Sequence, residues 1–323
     1  MTAVTPHTQP VPVQTVPCDL MGSHAQHWMS FGLTAPDQVP PLLQQAVDHS
    51  GLARGLWPAQ SPLPEDFWCL QDDRSAVGVV QLIEVKNGHP VGLRNAFPWV
   101  HSPHQYRARL HQIIHCPDTD DAVLELVVAG VRVFAFDPFY RLNAPLYQAQ
   151  QDYQVYLGGL VHQLEKVSSE DVLEITDPEA IRYHRGLNAN LAEAPDLDDE
   201  TLQQRLQDWQ PEGEEDLLPV TVNLSHMAAY LQGDQPGQQD EAWIAGKIIG
   251  QSRCRYAGHD FVLHDVVIQR EDPDQPLVVR LAQSVNQFAD SDHIFAVGDY
   301  VRGNIWLQGS IYAMSSGLEP PLS

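Results

Sequence analysis

Short apolar runs with the two-residue period of β-strands dominate two long stretches of the chain, residues 65–167 and 241–323. Successive side chains of a strand point to opposite faces, so a run such as residues 76–85 predicts a strand. Asn87-Gly88 follows this run, and both residues tolerate the positive φ that a tight hairpin turn needs. The pattern predicts a chain of the α+β class that is mainly β.

The segment between these stretches has helical rather than strand spacing. Asp177-Pro178 predicts a helix start, because proline is favoured at the first helical position. Residues 233–239, rich in Gly, Gln and Pro, predict a linker. We therefore divide the chain into four parts: a flexible proline-rich tail with a short helix (1–64), a first β-rich module (65–167), an acidic helical connector with its linker (168–240) and a second β-rich module (241–323).

Acidic residues greatly outnumber basic ones in this chain. It has 42 Asp and Glu against 18 Lys and Arg in 323 residues, a formal net charge of -24 and a sequence pI near 4.7. Such a charge repels polyanions, which argues against general binding to DNA, RNA or anionic lipid and permits a basic protein partner. Residues 193–216 hold ten acids and one base, Arg205, so the acidity is concentrated in the predicted connector.

The N-terminal tail and the cysteines indicate the cellular compartment of the protein. Residues 1–17 contain no Lys or Arg, and no apolar run approaches the roughly 20 residues of a transmembrane helix. The cysteines are widely separated and form no CxxC pair; they are Cys18, Cys69, Cys116 and Cys254. We expect a cytoplasmic protein, without membrane spans, whose thiols are reduced and mostly buried.

The two β-rich stretches share an order of local features, which points to an internal duplication. Each has a short run with a base, then apolar runs, then an Asp-Tyr pair, Asp152-Tyr153 in the first and Asp299-Tyr300 in the second. Alignment on these pairs leaves the last strands out of phase. Short apolar strands also resemble one another for physical reasons alone, so duplication and chance similarity both stay open.

The second stretch resembles the OB-fold class of small five-stranded barrels. The resemblance is carried by Lys247-Ile248-Ile249, by the apolar runs 261–268 and 277–281, and by the turn Gly298-Asp299-Tyr300-Val301-Arg302-Gly303. It implies a barrel whose second and third strands and adjoining loops bind oligonucleotides, sugars or proteins. Those strands lack the interleaved aromatic and basic residues of single-strand binders, so nucleic-acid binding is not expected.

Residues 85–117 contain no acidic residue, which makes this window locally basic. Arg94, Arg107 and Arg109 lie in it together with Trp99. These residue types can pair with, or stack on, a phosphate, a carboxylate or an acidic loop. The alternative is that the cations neutralise the negative charge of neighbouring segments.

The same window holds a group of histidines, His101, His104, His111 and His115, with Cys116 directly after the last. Imidazole and thiolate are ligands that zinc accepts, so these residues are candidate metal ligands for a metal-assisted hydrolase. The spacing matches neither HExxH nor a zinc ribbon. Local clustering is also expected by chance in a chain with 15 histidines.

The run 300–308 alternates in a way that predicts a two-faced strand. Tyr300, Arg302, Asn304 and Trp306 fall on one face, and these residue types are enriched at protein interfaces. They are candidate binding residues. The alternative is that Trp306 packs under the terminal segment 318–322.

The chain contains no GxSxG, Walker or GxGxxG motif, so no catalytic residue or cofactor is assigned. We therefore expect a non-enzymatic cytoplasmic binding or accessory protein. It would dock a protein partner through OB-like modules joined by an acidic helical segment. The alternatives are the metal-assisted hydrolase and, second, a single-stranded nucleic-acid binder.

Overall fold

The computed structural model describes residues 10–17, 25–168, 171–194, 199–211, 213–223, 225–269, 276–287 and 295–314. Its contacts divide the chain into two compact units. Unit 1 comprises Met1–Lys166 and Ala228–Ser323, and unit 2 comprises Val167–Met227. Strands account for far more of the chain than helices, so the predicted mainly-β, α+β class is confirmed.

The described residues form sixteen strands and five α-helices. The strands are β1 (Val13–Thr15), β2 (Gly51–Leu52), β3 (Phe67–Asp72), β4 (Val77–Lys86), β5 (His89–Val100), β6 (Gln105–Cys116), β7 (Asp121–Val128), β8 (Val131–Phe136), β9 (Asp152–Lys166), β10 (Val172–Ile175), β11 (Val220–Asn223), β12 (Ala229–Leu231), β13 (Glu241–Tyr256), β14 (His259–Gln269), β15 (Leu277–Ser284) and β16 (Tyr300–Ala313). The helices are α1 (Ala25–Ser30), α2 (Val39–Val47), α3 (Tyr140–Asn143), α4 (Pro178–Glu193) and α5 (Asp199–Asp208). Asn87 and Gly88 have φ of 53° and 78° between β4 and β5, so the predicted hairpin is confirmed.

Unit 1 is built on one large sheet that takes strands from both predicted β-rich modules. Its strand order is β1-β6-β7-β8-β16-β9-β15-β14-β13-β12. The long strands β9 and β16 join the two halves, because they pair antiparallel from Lys166↔Val301 to Tyr153↔Ala313. The sequence predicts two separate modules, whereas the contacts group both halves in one compact unit. A two-residue period identifies a strand but does not specify its neighbour.

The pairings of this sheet close into two rings of five strands. In one, the meander β13-β14-β15 is followed by β9, parallel to β15 at Gly158↔Arg280, and by β16, which pairs back to β13. In the other, the meander β6-β7-β8 is followed by β16, parallel to β8 at Phe136↔Gln308, and by β9, which pairs back to β6. Each ring is completed by a long strand from the other half.

A smaller sheet, β2-β3-β4-β5, packs against the large one. Ring centroids of Phe97 and Phe136 lie 4.8 Å apart across this contact. Trp99 donates a hydrogen bond to Ser310 Oγ at 3.0 Å, and Gln308 accepts one from the Val100 amide at 3.0 Å. These polar groups, which are buried in the core, are thus paired with one another, as a stable core requires.

The N-terminal segment is more ordered than its composition predicts. β1 pairs parallel to the C-terminal half of β6, beyond the residues that pair with β9, with Val13 opposite Ile113. Val11 and Val16, on either side of β1, are both buried. The expectation of a flexible tail is therefore corrected for these residues, because two valines find apolar cover and a strand edge supplies hydrogen-bond partners. Residues 1–9 lie outside the described part of the chain.

The cysteines do not all match the expectation of reduced thiols. Cys116 is disulfide-bonded, whereas Cys69 and Cys254 are free. Cys18 lies outside the described residues. The prediction is wrong at Cys116 because separation along the chain does not show which cysteines meet in space.

Among the helices of the described residues, none has the length and apolar character that crossing a bilayer requires.

Unit 2 consists of the antiparallel pair β10–β11 and the helices α4 and α5. The Asp177 side chain accepts a hydrogen bond from the Ala180 amide at 2.8 Å, and Pro178 is the first residue of α4, so the predicted helix start is confirmed. Gly186 has no side chain, so the ring of Trp209 can pack directly against α4. A Cβ at Gly186 would lie only 3.1 Å from the Trp209 ring. This contact joins α4 to the segment after α5.

Candidate functional site

The cations of the predicted basic window are paired with carboxylates. Arg94 Nε lies 2.9 Å from Asp120, while Arg107 and Arg109 both contact Asp152. Trp99 is 2% exposed and belongs to the core. The pairing is what the alternative interpretation predicts, in which these cations neutralise neighbouring acids. Arg94 also lines a cleft of about 340 Å³, together with Asp66, Phe67, Glu84, Lys86 and Arg141.

The four histidines of that window do not meet at one site, because each contacts different residues. His104 is 3.2 Å from Asp265, His111 is 3.8 Å from Glu125, and His115 is 3.9 Å from Asp120. His101 lies against the rings of Trp99 and Tyr156. Among the described residues they do not form a group of ligand atoms close enough to share one ion. Burial lowers the pKa of His101 and of His115 below the ordinary histidine value.

The predicted binding face of β16 is only partly a surface. Asn304 is exposed, and Arg302 pairs with Glu165 at 2.5 Å. Trp306 is fully buried, because both faces of β16 are covered from Ile305 to Ile311. Tyr300 and Trp306 therefore do not form one exposed aromatic face. The alternative contact of Trp306 with residues 318–322 lies outside the described residues.

A compact cluster of His27, His162 and Glu241 lies beside Trp306. His27 Nε2 is 2.7 Å from Glu241 Oε1, and His162 Nε2 is 2.7 Å from Glu241 Oε2. The three ligand atoms all lie within 4.8 Å of one another. His27 is on α1, His162 on β9 and Glu241 at the start of β13, so three elements of unit 1 meet here.

Neighbouring groups orient this cluster. The Ser30 hydroxyl lies 2.6 Å from His162 Nδ1. The His27 ring stacks on Trp306, with 3.6 Å between centroids and 6° between planes. Trp306 Nε1 in turn donates a hydrogen bond to Asp240 Oδ2 at 2.8 Å. Both imidazole rings are therefore held by a second contact besides Glu241.

The two adjacent carboxyl groups of this region titrate in opposite directions. Burial alone would raise the pKa of Glu241, but the hydrogen bonds from His162 and His27 outweigh it and lower the pKa to about 2. Burial, reinforced by the negative charge of Glu241, raises the pKa of Asp240 to about 8. Divergent pKa values in adjacent groups are typical of functional sites, although structural networks also produce them.

The sequence contains no signal that would have found this cluster. Its three residues are distant along the chain and belong to no spacing motif. Trp306, which supports the cluster, was singled out for a different role. The pairing of β13 and β9 with β16 brings Glu241 and His162 together, and α1 adds His27.

Comparisons of the chain with protein-family models, with curated proteins and with solved structures give no match.

Proposed function

We propose that the chain is a non-enzymatic binding or accessory protein that docks a basic, partly apolar protein segment through unit 2. The observation that carries this proposal is the combination of concentrated negative charge and exposed apolar side chains on that unit. We further propose that unit 1 is a scaffold of two OB-like barrels that arose by duplication.

The charge of unit 2 is disproportionate to its size. Residues 167–227 contain only three bases, Arg182, Arg185 and Arg205, against 15 acids, which gives half of the net charge of the chain. A field of this sign attracts a basic partner and accelerates its association.

Apolar side chains lie exposed on the same unit. Leu217 and Leu218 are 54% and 56% exposed, directly after the acids Glu214, Glu215 and Asp216. Tyr183 and Val172 are also about half exposed. A basic segment with apolar side chains complements this surface in both respects, since the charges steer it and the leucines bury apolar area.

The strand pairing of unit 1 supports the OB-like barrels. An OB fold is a five-stranded Greek-key barrel. Each ring has a three-stranded meander and one parallel pairing, between its third strand and a long strand supplied by the other half. In this interpretation β9 and β16 each serve both barrels.

Matching irregularities support the duplication. β6 has a bulge between Leu110 and Gln112, and β13 has one between Ile248 and Gly250. Alignment of these bulges superposes Ala108 on Gly246, whose partners on the long strands are Tyr153 and Val301. This differs by one residue from the alignment on Asp152 and Asp299, and it brings the apolar positions of β9 and β16 into phase.

The docking proposal is tested by the double substitution Leu217→Ser/Leu218→Ser in the full-length chain. Leu231→Ser is the matched control, because Leu231 is 60% exposed but belongs to unit 1. Affinity purification from the native cell extract should recover a basic protein in stoichiometric amount with the wild type and with Leu231→Ser. Recovery should fall with the double variant and with added salt. No stoichiometric partner even at low salt, or equal recovery with the double variant, would refute the proposal.

A further inference from the structure

We propose that His27, His162 and Glu241 bind a divalent transition-metal ion, with zinc as the best-suited ion. Two imidazoles and one carboxylate form a ligand set that zinc sites of the open type use, with remaining positions for water or another ligand. This inference is independent of the docking proposed for unit 2, since all three residues belong to unit 1.

The positions of the donor atoms suit one ion. Zinc takes its nitrogen and oxygen ligands at about 2.0–2.2 Å, so neighbouring ligand atoms lie roughly 3–3.5 Å apart. In the structure both Nε2 atoms lie 2.7 Å from Glu241 oxygens, and all three ligand atoms are within 4.8 Å of one another. These separations are therefore close to the spacing that one zinc ion requires of its ligand atoms.

The hydroxyl of Ser30 can hold His162 in the tautomer that binds a metal ion. A hydroxyl both donates and accepts, so it pairs with either tautomer of His162 across the 2.6 Å contact to Nδ1. When Nδ1 carries the proton and donates it to Ser30 Oγ, the Nε2 lone pair is available to a metal ion. A hydrogen bond to the second ring nitrogen also fixes the orientation of a histidine ring in metal sites.

The fold also positions the other two ligands. His27 is 4% exposed and stacks on the fully buried Trp306, so its ring has little freedom. Glu241 pairs with Trp306 across β13 and β16. The side chains of His162 and Glu241 are 20% and 27% exposed, which leaves a path for an ion from solvent.

A β-bulge directs His162 to this place. Gln163 pairs with Asn304 on β16, and Val161 pairs with Ile305, so His162 is the extra residue on β9. Bulges re-aim side chains and are over-represented near functional sites.

The experiment is a Zn²⁺ titration of chelator-treated full-length protein by calorimetry, with Co²⁺ as a spectroscopic probe. The wild type should bind one equivalent, and His162→Ala should lose that site. His111→Ala is the matched control, because His111 is 52% exposed and contacts the carboxylate of Glu125; it should bind as the wild type does. The Co²⁺ complex should show the visible absorption of a site with fewer than six ligands.

Two further variants keep the test decisive if His162→Ala does not fold. Glu241→Gln preserves shape and hydrogen bonding to one imidazole but removes the charged ligand, and we expect at least a 100-fold loss of affinity. Ser30→Ala should raise the dissociation constant by about 10- to 100-fold, as outer-shell substitutions do. Equal Zn²⁺ affinity in the wild type and in a folded Glu241→Gln protein, or no bound equivalent in the wild type, would overturn the proposal.

Discussion

Replacing Asp240 by Asn tests whether the carboxyl group beside Glu241 is neutral at pH 7. Asp240 is buried and accepts a hydrogen bond from Trp306 Nε1 at 2.8 Å. Burial and the charge of Glu241 raise its pKa from 3.8 to about 8. Asn has the same shape, retains an accepting oxygen and does not titrate, so it reproduces the neutral form at every pH.

The sign of the effect follows from proton linkage. Between the ordinary pKa and the raised one, the folded state holds a proton on Asp240 that the unfolded state has released. The free energy of unfolding therefore falls as pH rises, by up to about 1.4 kcal/mol per pH unit for one group. From pH 5.5 to 7.5 the wild type should lose about 2.5 kcal/mol relative to Asp240→Asn, slightly less than the full slope gives because Asp240 begins to deprotonate near pH 7.5.

The assay is urea denaturation of both proteins at several pH values across that interval. The lowered pKa values of His101, His115 and His264 act with the opposite sign below about pH 6.5, but they act equally in both proteins and cancel in the difference. Asp260→Asn is the control, because the Asp260 side chain is 60% exposed. A difference between wild type and Asp240→Asn that does not change with pH would refute the neutral carboxyl group.

Three further predictions concern the packing of unit 1. Trp306→Ala should lower the free energy of unfolding by about 3–5 kcal/mol in urea denaturation, because it removes a fully buried ring; a loss below about 1 kcal/mol would contradict its place in the core. Gly303→Ala should be destabilising in the same assay, since its Cβ would lie 1.9 Å from the carbonyl oxygen of Gln163, while Gly92→Ala, with no atom within 4 Å, should change stability little. Cys116→Ser should lower the unfolding free energy by about 2–5 kcal/mol, and a reductant should lower the melting temperature of the wild type but not of this variant.

Local features of the fold were predictable because short-range physics determines them. Asn87-Gly88 adopts positive φ and turns a hairpin, and Asp177-Pro178 begins a helix with the expected side-chain cap. In each case neighbouring residues suffice to select the backbone conformation.

Long-range features were not predictable from the same patterns. Alternation on β16 correctly separates Val301 from Asn304, but it does not reveal that both faces are covered at Trp306. Likewise, the cations Arg107 and Arg109 form a locally basic window in sequence, yet both contact Asp152 from another strand. Burial and charge pairing depend on which strands meet, and periodicity carries no such information.

The proposed duplication and the proposed metal site are connected by one departure from symmetry. Under the alignment of the two bulges, β9 and β16 are equivalent strands that pair with each other about a two-fold relation. The pairing keeps one register from Ala313↔Tyr153 to Ile305↔Val161 and shifts only where β9 inserts His162. No matching shift occurs at the other end of the described pairing, near Ser310 and Tyr156. His162 is thus an extra residue that a symmetric scaffold does not need, and it places an imidazole beside Glu241. A ligand site that was added to only one half of the proposed duplicated fold would require such a residue.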